Sequence, residues 1–227
     1  MADESTVAVR VWDLPTRLFH GLLVLAVVGL VITGNLGGNW LPWHARLGYA
    51  VLALLIFRVL WGLVGGRWSR FGSFLFGPRT LLAYLRGRAP AHVEVGHSPL
   101  GMLSVLAMLV GLATQVATGL ITDDEIAFTG PLASLVASST AYAATAWHKG
   151  WGKAIVLTLV GLHVAAIIVY QLRGKKLVAA MIHGDKWLPA HTPASADGAP
   201  QRWRALGVAT FSVALTWAIV EAARWLR

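Results

Sequence analysis

The sequence predicts an all-α integral membrane protein: a four-helix transmembrane bundle with a fifth transmembrane helix at its C-terminal end. Three observations carry this. Of the 227 residues, 56% are hydrophobic and only 13% charged, whereas a soluble domain carries about 25% charged residues. The apolar residues fall in blocks of roughly 20, about the length needed to cross a bilayer. Gly or Pro punctuates the block ends while long apolar runs fill the interiors, a pattern of helices and not of barrel strands.

The blocks follow in order. The first runs from Leu14 to Thr33 and stops at the turn Gly34-Asn35-Leu36-Gly37-Gly38. The second runs from Trp43 to Val64 and stops at Gly65-Gly66. The third runs from Pro99 to Ile121, and Pro99 suits a first helical turn because its missing N–H has no partner there. The fourth runs from Trp147 to Leu172, and a shorter fifth from Ala205 to Val220. Phe128 to Ala146, rich in Ala, Ser and Thr, reads as a surface helix on the outer face. Thr192 to Pro200 has the composition of a flexible linker. Residues 1–185 then form the membrane domain, 186–204 a cytoplasmic linker and 205–227 the extra helix. The first 17 residues mix Asp3, Glu4, Arg10, Asp13 and Arg17. That is not the basic n-region of a cleaved signal peptide, so the first block reads as a retained helix.

Loop charge sets the orientation. Arg67, Arg70, Arg79, Arg86 and Arg88 lie between blocks two and three; Arg173, Lys175, Lys176, Lys186, Arg202 and Arg204 lie between blocks four and five. The connection between blocks one and two is uncharged, and the one between blocks three and four carries Asp123, Asp124 and Glu125 without a base. The positive-inside rule then puts the N-terminus and both basic loops in the cytoplasm. The net charge of +9 reads as loop charge of this kind and not as a nucleic-acid surface.

There is no cysteine, which removes disulfides, iron–sulfur clusters, thiolate-bound zinc and covalent c-type haem. Any cofactor rests on other side chains or the main chain. Among the eight histidines, His92, His183 and His191 fall in polar loops, where a solvated side chain is the plain reading. His20, His44, His97, His148 and His163 sit in or at the ends of apolar blocks, where an ionisable group is expensive and marks function. His20 lies one turn in from the cytoplasmic end of block one, while His44 and His148 open blocks two and four at the outer end. His163 follows His148 by 15 residues, roughly 22 Å deeper and rotated by about 60°. Two levels result: His20 with His163 inside, His44 with His148 outside.

A histidine pair at each of two depths suits haem held by two imidazoles. Zinc and copper sites usually need three or four ligands. Histidines that only hydrogen-bond between helices would be placed the same way. Arg46, Lys149 and Lys153 lie on the outer side, where bases are scarce, within five residues of His44 or His148. They suit haem propionates, or simple snorkelling. Arg58, 14 residues after His44, reaches the inner level with Arg17 and His97, and suits inner propionates, a quinone headgroup or the interface. The glycines inside the blocks (Gly29, Gly48, Gly62, Gly111, Gly119 and Gly161) serve close helix packing or make room for a flat macrocycle.

Four pieces of sequence resemble the bacterial di-haem cytochrome b-561 type, which includes the b-type cytochrome subunit of nickel–iron hydrogenases. They are Val11-Trp12-Asp13-Leu14-Pro15-Thr16-Arg17-Leu18-Phe19-His20, Trp43-His44-Ala45-Arg46-Leu47-Gly48, Gly96-His97-Ser98-Pro99-Leu100-Gly101, and Trp147-His148-Lys149-Gly150 followed by Gly161-Leu162-His163-Val164-Ala165-Ala166. The likeness covers Val9 to Asp185 and leaves out the fifth block. It implies two b-type haems, one on His20 and His163 and one on His44 and His148. It also implies a multi-pass protein of the bacterial inner membrane that passes electrons between quinone and a redox partner, either a periplasmic cytochrome or a dehydrogenase- or hydrogenase-type subunit. Relatives of this type that oxidise superoxide at the outer haem are one alternative, with Arg46, Lys149 and Lys153 steering the anion. A haem-free metal transporter or scaffold is another; Thr114, Gln115 and Thr118 are the only midplane polar cluster it would have. The resemblance further implies a spacing of 14 between the two block-four histidines. Here it is 15, a difference that a π-bulge or a rotated haem would absorb.

Overall fold

The computed structural model describes residues 5–225. Asp3, Glu4 and the last two residues of the C-terminal block lie outside them. Five helices are long and apolar enough to cross a membrane: Leu14–Leu36, Gly38–Val64, His92–Leu120, Ser138–Leu172 and Ala199–Trp225. Many of their large apolar side chains, such as Leu25, Val110, Leu162 and Leu172, are exposed, a surface that lipid covers and water does not. The chain is a multi-pass, mostly helical membrane protein.

In chain order, β1 (Thr6–Arg10) precedes α1 (Leu14–Leu36), and a 3₁₀ turn at Gly38–Trp40 leads into α2 (Leu41–Val64). The short helix α3 (Pro78–Leu85) precedes α4 (Pro99–Leu120). Next come α5 (Ser138–Trp147), a π-turn (His148–Gly152) and α6 (Lys153–Leu172). The last elements are α7 (Leu177–His183), β2 (Asp185–Pro189) and α8 (Ala199–Trp225).

Three expectations are corrected. The Ala-, Ser- and Thr-rich stretch is not a separate surface helix: α5 runs through the π-turn into α6 as one 35-residue helix. At 1.5 Å per residue that is about 52 Å, well beyond the roughly 30 Å apolar core. The fifth helix begins at Ala199, six residues earlier than its apolar run, because Pro200 is tolerated in a first turn.

The third correction concerns the linker. Its first residues form β2, antiparallel to β1, with Thr6 opposite Pro189 and Arg10 opposite Asp185. Ser195 is buried; its N–H donates to the Arg10 carbonyl at 2.7 Å. Its hydroxyl donates to the Val11 carbonyl at 2.8 Å and accepts from the Trp68 N–H at 3.2 Å. Asp197 accepts the Leu14 N–H at 2.8 Å and pairs with Arg10 at 3.3 Å. Composition favours flexibility here, but these non-local bonds hold the segment in place.

The chain divides into two compact units. Unit one comprises the residues up to Phe19, Arg58–Leu106 and Leu162–Val208. Its organising residue is Asp13, fully buried at the start of α1. As N-cap, its carboxylate accepts the Thr16 N–H at 2.8 Å. It also accepts from the Gly66 N–H at 2.9 Å, the Ser69 hydroxyl at 3.0 Å and the Trp61 indole at 3.2 Å. Any side chain at position 66 would overlap this carboxylate. Gly184 closes α7 at φ 95°, a conformation that glycine adopts without penalty, and its carbonyl receives the N–H groups of Val11 and Trp12. Val11, Trp12, Val95 and Ala180 form the small core behind them.

Unit two comprises His20–Phe57, Ala107–Gly161 and the residues from Ala209 onward. Ala26 of α1, Val51 and Leu55 of α2 and Leu112 of α4 form its core, with Val156 of α6 packed against them. Gly29 sits against Leu47 and Gly111 against Leu159, the close approach that small residues permit in membranes. The acidic connection is a tight turn. Asp124 accepts the N–H groups of Ala127 and Phe128, each at 2.9 Å, and pairs with Lys149 at 3.0 Å. These donors hold its carboxyl below the ordinary carboxylate range.

Candidate functional site

In unit two His44 and His148 face each other. The rings of His44 and His148 lie 6.1 Å apart, centre to centre, and are crossed at 85°. His44 stands in the first turn of α2, and His148 opens the π-turn between α5 and α6. Both are half-buried.

Each ring is oriented by a neighbouring helix in the same way. His44 Nδ1 lies 3.1 Å from the Leu30 carbonyl and 3.3 Å from the Thr33 hydroxyl, both on α1. His148 Nδ1 lies 2.9 Å from the Gln115 carbonyl and 3.3 Å from the Thr118 hydroxyl, both on α4. A carbonyl can only accept, so Nδ1 carries the proton in both rings and Nε2 keeps its lone pair. A glycine follows each threonine: a Cβ at Gly34 or Gly119 would come within 2.9 Å of the ring it faces. The two cradles therefore share one pattern, a carbonyl, then Thr three residues on, then Gly. Leu30-Val31-Ile32-Thr33-Gly34 and Gln115-Val116-Ala117-Thr118-Gly119 carry it in the sequence. Sequence reading missed it, although the repeated Thr-Gly pair inside two apolar helices was the available signal.

The pair fits a haem. With metal–imidazole bonds of about 2 Å on either side of one iron, and about 1 Å more from each nitrogen to its ring centre, the two rings stand about 6 Å apart. Fixing one imidazole nitrogen to a carbonyl is the usual support for a ligating histidine. Gly48, one turn after His44, meets no atom within 4 Å. Among the described residues no three His, Asp or Glu side chains come together to hold a bare metal ion.

The π-turn bears on the spacing of the block-four histidines. An i→i+5 turn takes one residue more than an α-turn for the same rotation. It stands at His148–Gly152, between His148 and His163, so 15 residues cover the rotation that 14 would cover in an unbroken α-helix. Gln115 supports it, donating from Nε2 to the His148 carbonyl at 2.8 Å.

The inner histidines are half-buried, His20 on α1 and His163 on α6; His20 falls in unit two and His163 in unit one. His97, in unit one, lies between the rings of Trp12 at 4.7 Å and Phe74 at 4.5 Å, tilted to both. Arg58 is buried in unit one, donates to the Ser69 carbonyl at 3.2 Å and lies over Phe71. The outer cations are already engaged. Lys149 pairs with Asp124, Lys153 donates to Asn35 at 2.7 Å, and Arg46 lies over the Trp43 ring.

The family model for prokaryotic cytochrome b561 matches residues 11–184. The chain belongs to this family. It is a transmembrane b-type cytochrome, a haem-binding protein of electron transfer. The match covers both Thr-Gly cradles and His20, His44, His148 and His163; α8 of this cytochrome lies beyond it. Comparisons with curated proteins and with solved structures returned no match.

Proposed function

We propose that this cytochrome holds two b-type haems at two depths and conducts electrons between quinone and a redox partner outside the membrane. The observation that carries the reading is the His44–His148 pair, 6.1 Å apart with both Nδ1 atoms committed to carbonyls. His20 and His163 hold the second haem, on the grounds of depth and family likeness. Haem supplies reversible one-electron chemistry, and the protein sets its potential and its access. Leu30 and Gln115 orient the ligand rings through their carbonyls. The apolar faces of α1, α2, α4 and α6 keep water from the site, and the Thr33 and Thr118 hydroxyls, each 3.3 Å from a ring nitrogen, lie just beyond the carbonyls. The N-terminus lies in the cytoplasm of a bacterial inner membrane by the positive-inside rule. The engagement of Lys149 and Lys153 with Asp124 and Asn35 weighs against a free cationic funnel for superoxide.

Purified protein gives the test, through reduced-minus-oxidised spectra and a pyridine haemochrome count. Two haems per chain are expected, falling to one in His44→Ala and in His148→Ala. The crossed imidazole planes predict a strongly anisotropic low-spin paramagnetic resonance signal that disappears in those two variants. Two haems retained in His44→Ala would overturn the outer assignment. Oxidation of the reduced protein by a soluble quinone analogue tests the quinone step.

A further inference from the structure

A second feature lies in unit one, at the foot of α8, where residues beyond the family match meet the segment that follows α2. A cavity of about 300 Å³ opens there, lined by Arg67, Arg70 and Arg204 together with Gln201. Among the described residues no carboxylate lines it. Gly65 and Gly66 complete the wall at the end of α2.

Gln201 gives the cavity its direction. Its residue is 8% exposed, it lines the cavity, and its side-chain amide has no protein partner. With no protein partner holding it, the amide is available to hydrogen-bond a ligand in the cavity. It sits in the first turn of α8, a 27-residue helix, where free N–H groups and the helix dipole favour an anion. The Arg204 guanidinium is positioned by the Val64 carbonyl at 3.4 Å, and Arg67 lies over the Trp68 ring. Three guanidinium groups, an amide and a helix N-terminus form a donor set suited to phosphate oxygens. Val64 ends one membrane span and Ala199 begins another, so the cavity stands at the level of lipid headgroups. Basic pockets between membrane helices recognise anionic headgroups by this chemistry.

We propose that this cavity binds a phosphate group, carried by an anionic phospholipid or free in solution. The test uses the full-length protein with its haem, in neutral detergent, and reads thermal unfolding and native mass spectra. Added phosphatidylglycerol should raise Tm and remain bound, while phosphatidylcholine should do neither. Arg67→Gln with Arg204→Gln should weaken retention about tenfold. Gln201→Glu, nearly isosteric, should do the same by placing a negative charge in the cavity. Lys176→Gln with Arg202→Gln removes equal charge away from the cavity and should retain the lipid. An unchanged haem spectrum shows that each variant is folded. Protection by phosphatidylglycerol but not by millimolar inorganic phosphate identifies a lipid site; protection by both identifies a soluble phosphate. Equal loss in the cavity and control variants, or no loss in either cavity variant, would overturn the proposal.

Discussion

Asp13 shows what one buried carboxylate does at the polar end of a membrane protein. It caps α1 and gathers the Gly66 N–H, the Ser69 hydroxyl and the Trp61 indole. Asp13→Ala leaves those donors buried and unsatisfied. We expect a loss of about 3 kcal/mol or more, read as a lower Tm in detergent. Asp124 does similar work in unit two. Its carboxyl is held below the ordinary value of 3.8, first by the Ala127 and Phe128 N–H groups and then by Lys149. A depressed folded-state pKa gives stability that is present above the unfolded value and is lost as pH falls below it. The stability gap between wild type and Asp124→Asn should therefore be constant near neutrality and shrink below about pH 4. A gap that does not change down to pH 2 would refute this.

At the scale of elements, the helices place the histidines and the glycines admit them. Gly119 leaves 2.9 Å between a would-be Cβ and His148, so Gly119→Ala must push the ring. Small-to-large changes in a packed site cost about 1–3 kcal/mol, and we expect lower haem occupancy at one site with the other unaffected. The π-turn makes a sharper prediction. Deleting Gly150 removes one residue from it and should convert His148–Gly152 to α-helix. The rotation between His148 and His163 is then set by 14 α-helical residues, close to its original value. Both haems should be retained, whereas deleting Leu159, beyond the turn, should cost one. The same haem count in both deletions would mean that the π-turn does not buffer the spacing.

At the scale of the whole molecule, β1, the start of α1 and the Pro193–Asp197 strap join the two ends of the chain within unit one. Asp197 carries much of that connection through the Leu14 N–H and Arg10. Asp197→Ala should lower stability by about 1–3 kcal/mol, measured by thermal unfolding, with the haem spectrum unchanged because the strap lies in unit one and the His44–His148 pair in unit two. A loss of haem in this variant would show that the strap also positions the site.

Helix number and the meeting of His44 with His148 were legible in the sequence, because lipid forces apolar runs of fixed length and helix rise converts position into depth. The departure of the His148–His163 spacing was visible as well, and only the fold placed a π-turn between the two residues. Tertiary structure alone decided the rest. The Thr-Gly cradles, the commitment of Lys149 to Asp124, the place of His97 between two rings and the docking of Ser195 and Asp197 all depend on neighbours tens of residues away. Residue type and local spacing fix which elements form and how deep each residue lies, while partners that meet only after the chain has folded decide what each polar side chain binds.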